Sequence, residues 1–250
     1  MKSLGVSWMV GLLFLISGWW IAAHFASAKT IPPPTEVFIS LKNELGRHAA
    51  NAKVSGSQAA GGILLAALIA GGIIVCIGLF PSAEAMFYPY IVMLKASPAI
   101  AFAPVFVALV GIGPFCKVLV SAMISFFPLV IGGIDGLKTT PEKLLNMANG
   151  YGSGRWPLLR AVKWGYAWSG FLSGLKTAAP LSVVGAIVGE FVAGGSPTGL
   201  GTFIMVSNTA GLSVQVFAAA VVSTTLGVVF FSIAALLKEW ADRRLHLVSS

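Results

Sequence analysis

Six long apolar stretches constrain the fold of this chain more than any other feature. They cover residues 6–25, 59–80, 87–110, 118–134, 164–189 and 213–237. A helix needs about 20 apolar residues to cross the hydrocarbon core of a bilayer. We therefore predict an all-α polytopic membrane protein with six transmembrane helices, the last two separated by the Gly-rich residues 194–199.

The composition excludes most soluble classes of protein. Apolar residues make up 57% of the chain and charged residues only 10%, whereas a soluble domain carries about 25% charged residues. A cytosolic enzyme, a disordered segment and a secreted disulfide scaffold are therefore excluded. The net charge of +8 does not indicate nucleic-acid binding, because the 16 Lys and Arg residues are scattered between apolar runs, as topology signals are.

The first apolar stretch has two interpretations. Lys2, the apolar run and Ala26-Ser27-Ala28 resemble a signal peptide with its cleavage site. The run is longer than the usual 7–15 residues of a signal peptide, and Trp19-Trp20 suits a span that ends near the interface. We expect residues 1–25 to be retained as the first transmembrane helix.

The distribution of cations predicts the orientation. With the N-terminus inside, nine Lys and Arg residues face the cytoplasm and five face outside, so the positive-inside rule places both termini in the cytoplasm. Residues 26–58, with Pro32-Pro33-Pro34, then form an external segment. Residues 59–134 form helices two to four, 135–163 a cytoplasmic loop, 164–237 helices five and six, and 238–250 a cytoplasmic tail.

Three charged residues intrude on the apolar runs, namely Lys95, Lys176 and Glu190. A charge at the bilayer centre costs about 2.5–3.5 kcal/mol or more, so each should face protein or water. For the two lysines, anchoring at the interface and lining a path are equally good interpretations. For Glu190, a structural partner and a gate both stay open. Pro98 is one of three prolines in the third stretch, which favours an inner, path-lining helix.

No catalytic or metal-binding constellation stands out. The three histidines lie far apart in sequence, and Cys76 and Cys116 sit inside apolar runs without ligands at metal-binding spacing. Two stretches approach a phosphate-binding loop, but Leu separates the last Gly from the Lys in both. We predict a non-catalytic subunit without cofactor, whose energy comes from another chain.

The motifs from Pro89 onward resemble ABC-importer permeases of the nitrate/sulfonate/taurine type. The resemblance rests on the pattern Pro89-x5-Lys95-x2-Pro98-x5-Pro104, on Phe126-Phe127-Pro128, and on Glu190 followed by Gly199-Leu200-Gly201. It implies a type I importer fold in the bacterial inner membrane. It also implies a permease homodimer, a cytoplasmic ABC ATPase dimer, an external solute-binding protein and a small solute of anionic type.

Such permeases carry a cytoplasmic EAA loop that docks on the ATPase. The corresponding frame here is Asn146-Met147-Ala148-x3-Gly152, and Trp156 follows in the same loop. Only Ala148 and Gly152 match the pattern outright, because Asn146 replaces the Glu. Residues 141–150 independently predict a short helix with an apolar ridge, suited to a partner's groove or to the membrane surface.

The sequence therefore favours the membrane subunit of an ATP-driven importer. Asn146, Met147, Ala148, Gly152 and Trp156 are its predicted ATPase-coupling residues. Lys95, Pro98, Lys176 and Glu190 are its predicted path residues. An ion-coupled secondary transporter or channel is the alternative, and a membrane-embedded enzyme or scaffold is a third hypothesis.

Overall fold

The computed structural model describes residues 2–25, 30–195 and 198–244, which form helices joined by short connections. The helices are α1 (Lys2–Phe25), α2 (Pro34–Asn43), α3 (Leu45–Leu79), α4 (Ser82–Ala96), α5 (Ala99–Val110), α6 (Pro114–Lys138), α7 (Glu142–Gly150), α8 (Arg155–Leu158), α9 (Trp164–Ala193), α10 (Leu200–Thr209) and α11 (Ser213–Arg244). A π-helical turn, Leu159–Lys163, joins α8 to α9.

The prediction of an all-helical polytopic membrane protein is confirmed. Within the described ranges, α3, α6, the continuous helix Arg155–Ala193 and α11 are each long and apolar enough to cross a membrane. The bent pair of α4 and α5 makes a fifth span if it is counted as one. The apolar part of α1 is shorter, Leu13–Phe25. The structure thus supports four or five of the six predicted spans.

The third apolar stretch is not one helix. α4 and α5 meet at an angle of 104°. Ser97, which precedes Pro98, is extended with φ −78° and ψ 136°, as expected because a proline disfavours helical geometry in the residue before it. The third stretch is therefore broken at Pro98 into two helices, which together can still make one span.

Two further boundaries differ from the sequence-based prediction. α3 begins at Leu45, 14 residues before the predicted start at residue 59. Its first turns bury His48, Asn51, Ser55 and Gln58, which recur at helical spacing and form a polar face. α10 was not predicted, and the segment after the prolines contains a short helix, α2.

The core forms where α6 and α9 cross at glycines. A Cβ atom on Gly170 would lie 2.6 Å from the Cα of Gly136. One on Gly185 would lie 2.6 Å from the Cα of Ser121. The glycines of α9 therefore let its backbone approach α6 closely. α3 packs on both helices through Ala66, Ala70 and Ile74.

The bundle has two ends with different contents. One end, called the α7 end here, contains α7, α8 and the last turns of α3, α6 and α11. At this end Ser169 Oγ donates to Asp242 Oδ1 at 3.1 Å. The α10 end carries α2, α10 and the first turns of α3, α6 and α11. α1 is tied to α2 and α11, because Trp19 Nε1 donates to the Pro32 carbonyl at 3.1 Å and its ring stacks on Phe217.

Two sequence-based expectations lie outside the described residues. The possible cleavage site, Ala26-Ser27-Ala28, falls in the undescribed range 26–29. The end of the predicted tail falls in the range 245–250.

Candidate functional site

Glu190 lies at the α10 end and is 1% exposed. Ser55 Oγ of α3 donates to its Oε1 at 2.7 Å. The backbone N–H of Gly201, in the first turn of α10, donates to its Oε2 at 2.6 Å. The carboxylate therefore joins α3, α9 and α10 through hydrogen bonds to a charged acceptor, the stronger kind.

Side chains beside Glu190 also accept hydrogen bonds from the N–H groups of Gly199 and Leu200, at the start of α10. The N–H of Leu200 donates to Ser55 Oγ at 2.8 Å, and the N–H of Gly199 donates to Asn51 Oδ1 at 2.9 Å. The first N–H groups of a helix have no partner within the helix, and side-chain oxygens commonly accept from them. A carboxylate is also favoured at that positive end of the helix dipole. We call Asn51, Ser55 and Glu190 the Glu190 cluster.

The Gly199-Leu200-Gly201 turn is built around this carboxylate. Gly199 has φ +135°, a conformation that favours glycine. A Cβ atom at Gly199 would lie 2.5–2.8 Å from the carboxylate atoms of Glu190. One at Gly201 would lie 2.6 Å from the Ile187 carbonyl oxygen. Both glycines are therefore required by the close approach of the turn to α9.

Lys117 is a buried cation beside the Glu190 cluster. Its residue is fully buried, and its Nζ has no hydrogen-bond partner in the described part of the chain. It interacts electrostatically with Glu190, and a Cβ atom on Gly189 would lie 2.9 Å from its Cα. Lys117 is one of the five cations predicted to face outside, and its burial beside Glu190 was not predicted. The signal was its position in the first turn of an apolar helix.

The other predicted path residues lie elsewhere. Lys95 is exposed in the last turn of α4, and Pro98 is exposed at the break before α5. Lys176 is half-buried on α9, with its Nζ 5.8 Å from the centre of the Phe231 ring of α11. The structure therefore does not bring Lys95, Pro98, Lys176 and Glu190 together at one place.

A polar groove of about 380 Å³ lies between α6 and α9 toward the α7 end. Three glycines at the helix crossing form its floor. Its polar lining side chains are Asp135, Thr139, Tyr166, Ser169 and Ser173. These residues are about 30 positions apart in sequence, which is why the sequence did not single out the groove.

α7 presents side chains to the surroundings and buries none of them. Met147 is 58% exposed, Asn146 is exposed and Ala148 is half-buried. The helix is followed by Gly152 at φ +70°. The N–H of Ser153 donates to the Ala148 carbonyl at 3.1 Å, so the glycine closes a tight turn at the end of the helix.

The next residues anchor this loop to α3. Trp156, on α8, is 58% exposed, whereas Leu159 is 2% exposed. A Cβ atom on Gly78 would lie 2.5 Å from a Leu159 methyl carbon, so Leu159 fills the space that this glycine leaves. Arg155 lies over the Phe80 ring at 5.3 Å. The five predicted coupling residues thus lie on one short segment fixed to the end of α3.

The described residues contain no group of three or more His, Cys, Asp or Glu side chains able to hold a metal ion. The features described above are the buried Glu190 cluster, the polar groove between α6 and α9, and the exposed helix α7.

Comparison with known proteins identifies the family. The model of the family described as binding-protein-dependent transport system inner membrane component matches residues 62–246. Several characterised or named permeases are similar to this chain. The riboflavin transport system permease protein RibX of Chloroflexus aurantiacus is 35% identical over 156 residues, which cover 61% of this chain and 58% of the relative.

Two other relatives carry different transport names. The formylaminopyrimidine transport permease protein ThiX of Halalkalibacterium halodurans is 34% identical over 149 residues, covering 60% of this chain and 59% of the relative. The putative aliphatic sulfonates transport permease protein SsuC of Bacillus subtilis is 26% identical over 227 residues, covering 88% of this chain and 82% of the relative. The matches to RibX and ThiX span less than two thirds of those relatives' lengths.

The resemblance found in the sequence is thereby confirmed. The matched region contains the α6–α9 core, the α7 loop and the Glu190 turn. The chain belongs to the family of binding-protein-dependent transport inner membrane components, the multi-pass permease subunits of ABC transporters.

Proposed function

We propose that this chain forms the solute path of an ATP-driven importer and moves between outward-open and inward-open states. The observation that carries the proposal is the exposed α7 segment anchored to α3 through Leu159. An exposed helix with an apolar residue such as Met147 suits insertion into a groove of a partner. The partner proposed here is a cytoplasmic ABC ATPase dimer, with a second copy of the permease beside the first.

We further propose six spans with both termini in the cytoplasm. α1 is then the first span and the α4–α5 pair the third. The α7 end carries many cations, which supports a cytoplasmic position; they are Lys138, Lys143, Arg155, Arg160, Lys163, Lys238 and Arg243. The α10 end, with α2, then faces outside and offers the surface for a solute-binding protein. Residues 26–58, 135–163 and 238–250 keep their predicted external, coupling and tail roles in this arrangement.

The proposed path residues have different kinds of support. Pro98 lies at a helix break, which suits a segment that changes shape. Glu190 is held by Ser55 and Gly201, which favours a structural tether of α10 over a free gate. Lys95 and Lys176 remain proposed path residues, and their replacement by alanine should lower uptake without loss of membrane insertion.

The proposed solute is a small molecule. The relatives' names include riboflavin, formylaminopyrimidine, aliphatic sulfonates and carnitine, so the family match does not select one class. The resemblance in the sequence favours an anion. Lys95 and Lys176 do not line the polar groove, so the structure adds no support for that preference.

The docking of an ATPase on α7 can be tested directly. Met147→Ser removes an exposed apolar side chain from α7, and Phe38→Ser is its matched control, because Phe38 is 61% exposed on the short helix α2 at the other end. Each full-length variant is purified from membranes of the native host, and ATP hydrolysis by the purified material is measured. We expect Met147→Ser to lose most of the associated ATPase activity and Phe38→Ser to keep it.

Two outcomes would contradict this proposal. Equal ATPase activity with both variants would remove α7 as the docking element. Solute uptake that survives ATP depletion but collapses with the membrane potential would select the ion-coupled transporter or channel instead.

A further inference from the structure

The groove between α6 and α9 contains one carboxylate, that of Asp135 on α6. Both helices are long and apolar enough to span the membrane. Asp135 is exposed. Its carboxylate has no hydrogen bond or ion pair to any residue of the described ranges. In the proposed topology Asp135 lies in the last turn of α6, where the helix meets the cytoplasm, so its charge is in contact with water at that end of the groove.

The neighbouring cations do not neutralise Asp135 by direct contact. Lys138, one turn further along α6, has its Nζ 2.6 Å from Glu84 Oε1. Lys238 has its Nζ 2.8 Å from Asp242 Oδ2. Each of these lysines is thus paired with another carboxylate, although Lys138 also interacts electrostatically with Asp135. Among the residues that line the groove, Asp135 is the one that carries a charge.

The hydroxyl groups of the groove also present acceptors. Ser173 Oγ donates to the Ser169 carbonyl at 3.0 Å, and Thr139 Oγ1 donates to the Gly136 carbonyl at 2.8 Å. Their hydrogens are used within their own helices, so the oxygen lone pairs remain for a bound molecule. Ser169 Oγ differs, because it donates to Asp242 of α11 and accepts from Lys238 Nζ at 3.4 Å. A lining of carboxylate and hydroxyl oxygens favours solutes that bring N–H or O–H donors.

We propose that this groove is a hydrated stretch of the solute path and that Asp135 makes it favour neutral or positively charged solutes over anions. The inference rests on the proposed function, since it assigns a solute class to the same path. It places the selective charge on α6, in the groove that α6 forms with α9, whereas Lys176 of α9 faces α11.

Charged thiol reagents test the groove without knowledge of the natural solute. Ser173→Cys places a thiol in the groove. Ser232→Cys is the matched control, because Ser232 is also exposed and also donates to its own helix, to the Val228 carbonyl at 2.8 Å. Both variants are made in a full-length chain in which Cys76 and Cys116 are replaced by alanine. The probes are the trimethylammonium-ethyl and sulfonato-ethyl methanethiosulfonates, applied to membrane fragments open on both sides.

We expect the cationic reagent to modify Ser173→Cys about tenfold faster than Ser232→Cys, because thiolates form in water and not in lipid. After normalisation to a free thiol, the ratio of cationic to anionic rates at position 173 should be about three to ten. A ratio of this size is the effect that one unit charge, several ångströms away in water, has on the two modification rates. Asp135→Asn should bring the ratio to about one.

Equal rates of thiol modification at positions 173 and 232 would contradict the proposal that the groove is hydrated. A ratio of one or below with Asp135 present would overturn the charge preference. If Ser173→Cys does not fold, Thr139→Cys takes its place, because Thr139 is exposed in the same groove. The ATPase measurement on Met147→Ser is independent of these rates, so a dry groove with an intact ATPase complex would refute this inference alone.

Discussion

Replacing Glu190 by glutamine removes one charge while it keeps the size of the side chain. The carboxylate is 1% exposed and accepts from Ser55 Oγ at 2.7 Å and from the N–H of Gly201 at 2.6 Å. Glutamine has only one acceptor oxygen, so its NH₂ group must face one of these two donors. The substitution also leaves the buried Lys117 without the opposite charge that it interacts with.

The expected loss of stability follows from these two effects. A hydrogen bond to a charged group contributes about 1.5–3 kcal/mol. Breaking a buried charge pair by removing one partner costs about 3–5 kcal/mol. The two figures overlap because they describe the same carboxylate. We therefore expect Glu190→Gln to lower the free energy of unfolding by about 3–5 kcal/mol, without loss of membrane insertion.

A thiol-reactive dye can measure this effect in a chain whose half-buried Cys76 is replaced by alanine, because the remaining Cys116 is fully buried and reacts only when the helices separate. We expect the midpoint of thermal unfolding in detergent to fall strongly for Glu190→Gln and to stay unchanged for Glu142→Gln, whose side chain is exposed on α7. The double variant Glu190→Gln/Lys117→Met should recover part of the loss, since no unpaired buried charge remains. A single variant as stable as the wild type, or a double variant no better than the single, would refute the reasoning.

Two glycine substitutions extend the test to the core and to the coupling loop. Gly174→Ala places a Cβ atom 2.9 Å from the carbonyl carbon of Pro128, and overpacking of this kind should cost about 1–3 kcal/mol. A Cβ atom at Gly71 on α3 would meet nothing within 4 Å. Gly71→Ala should therefore be neutral or stabilise the fold by up to about 1 kcal/mol, since alanine is the better helix former. The midpoints of thermal unfolding of the two variants measure this difference. Gly152→Val puts a β-branched residue at φ +70° and should abolish transport with membrane insertion intact, whereas wild-type uptake in that variant would remove the assigned coupling loop.

The local features of this fold could be predicted from the sequence. The length of an apolar run is a local property, so the spans represented by α3, α6, α9 and α11 were found with only their bounds in error. The α7 helix was found for a similar reason, because Pro141 and Gly150 bracket it within ten residues.

Features that depend on distant partners could not be predicted in this way. Three prolines occur in the third stretch, and their spacing does not distinguish Pro98, where the helix breaks, from Pro89 and Pro104, through which it continues. The role of Glu190 depends on Ser55, which is 135 positions away in the chain. Spacing along one segment carries no information about such a contact.

The two ends of the bundle are held by interactions of different strength. At the α10 end, Glu190 and its buried hydrogen bonds join three helices, so separation of any one of them exposes unsatisfied charged or polar groups. At the α7 end, the polar contacts between helices are partly exposed: Ser169 Oγ donates to Asp242 at 3.1 Å and Lys138 pairs with Glu84, and a surface pair contributes only about 0–1 kcal/mol. Leu159 over Gly78 and the close crossing of α6 and α9 hold the same end by packing. If the proposed ATPase docks on α7, its force therefore acts at the end whose polar contacts are the more easily broken, and the α10 end resists. Such a difference between the two ends would allow the proposed ATPase to open the path at the α7 end while the α10 end stays closed.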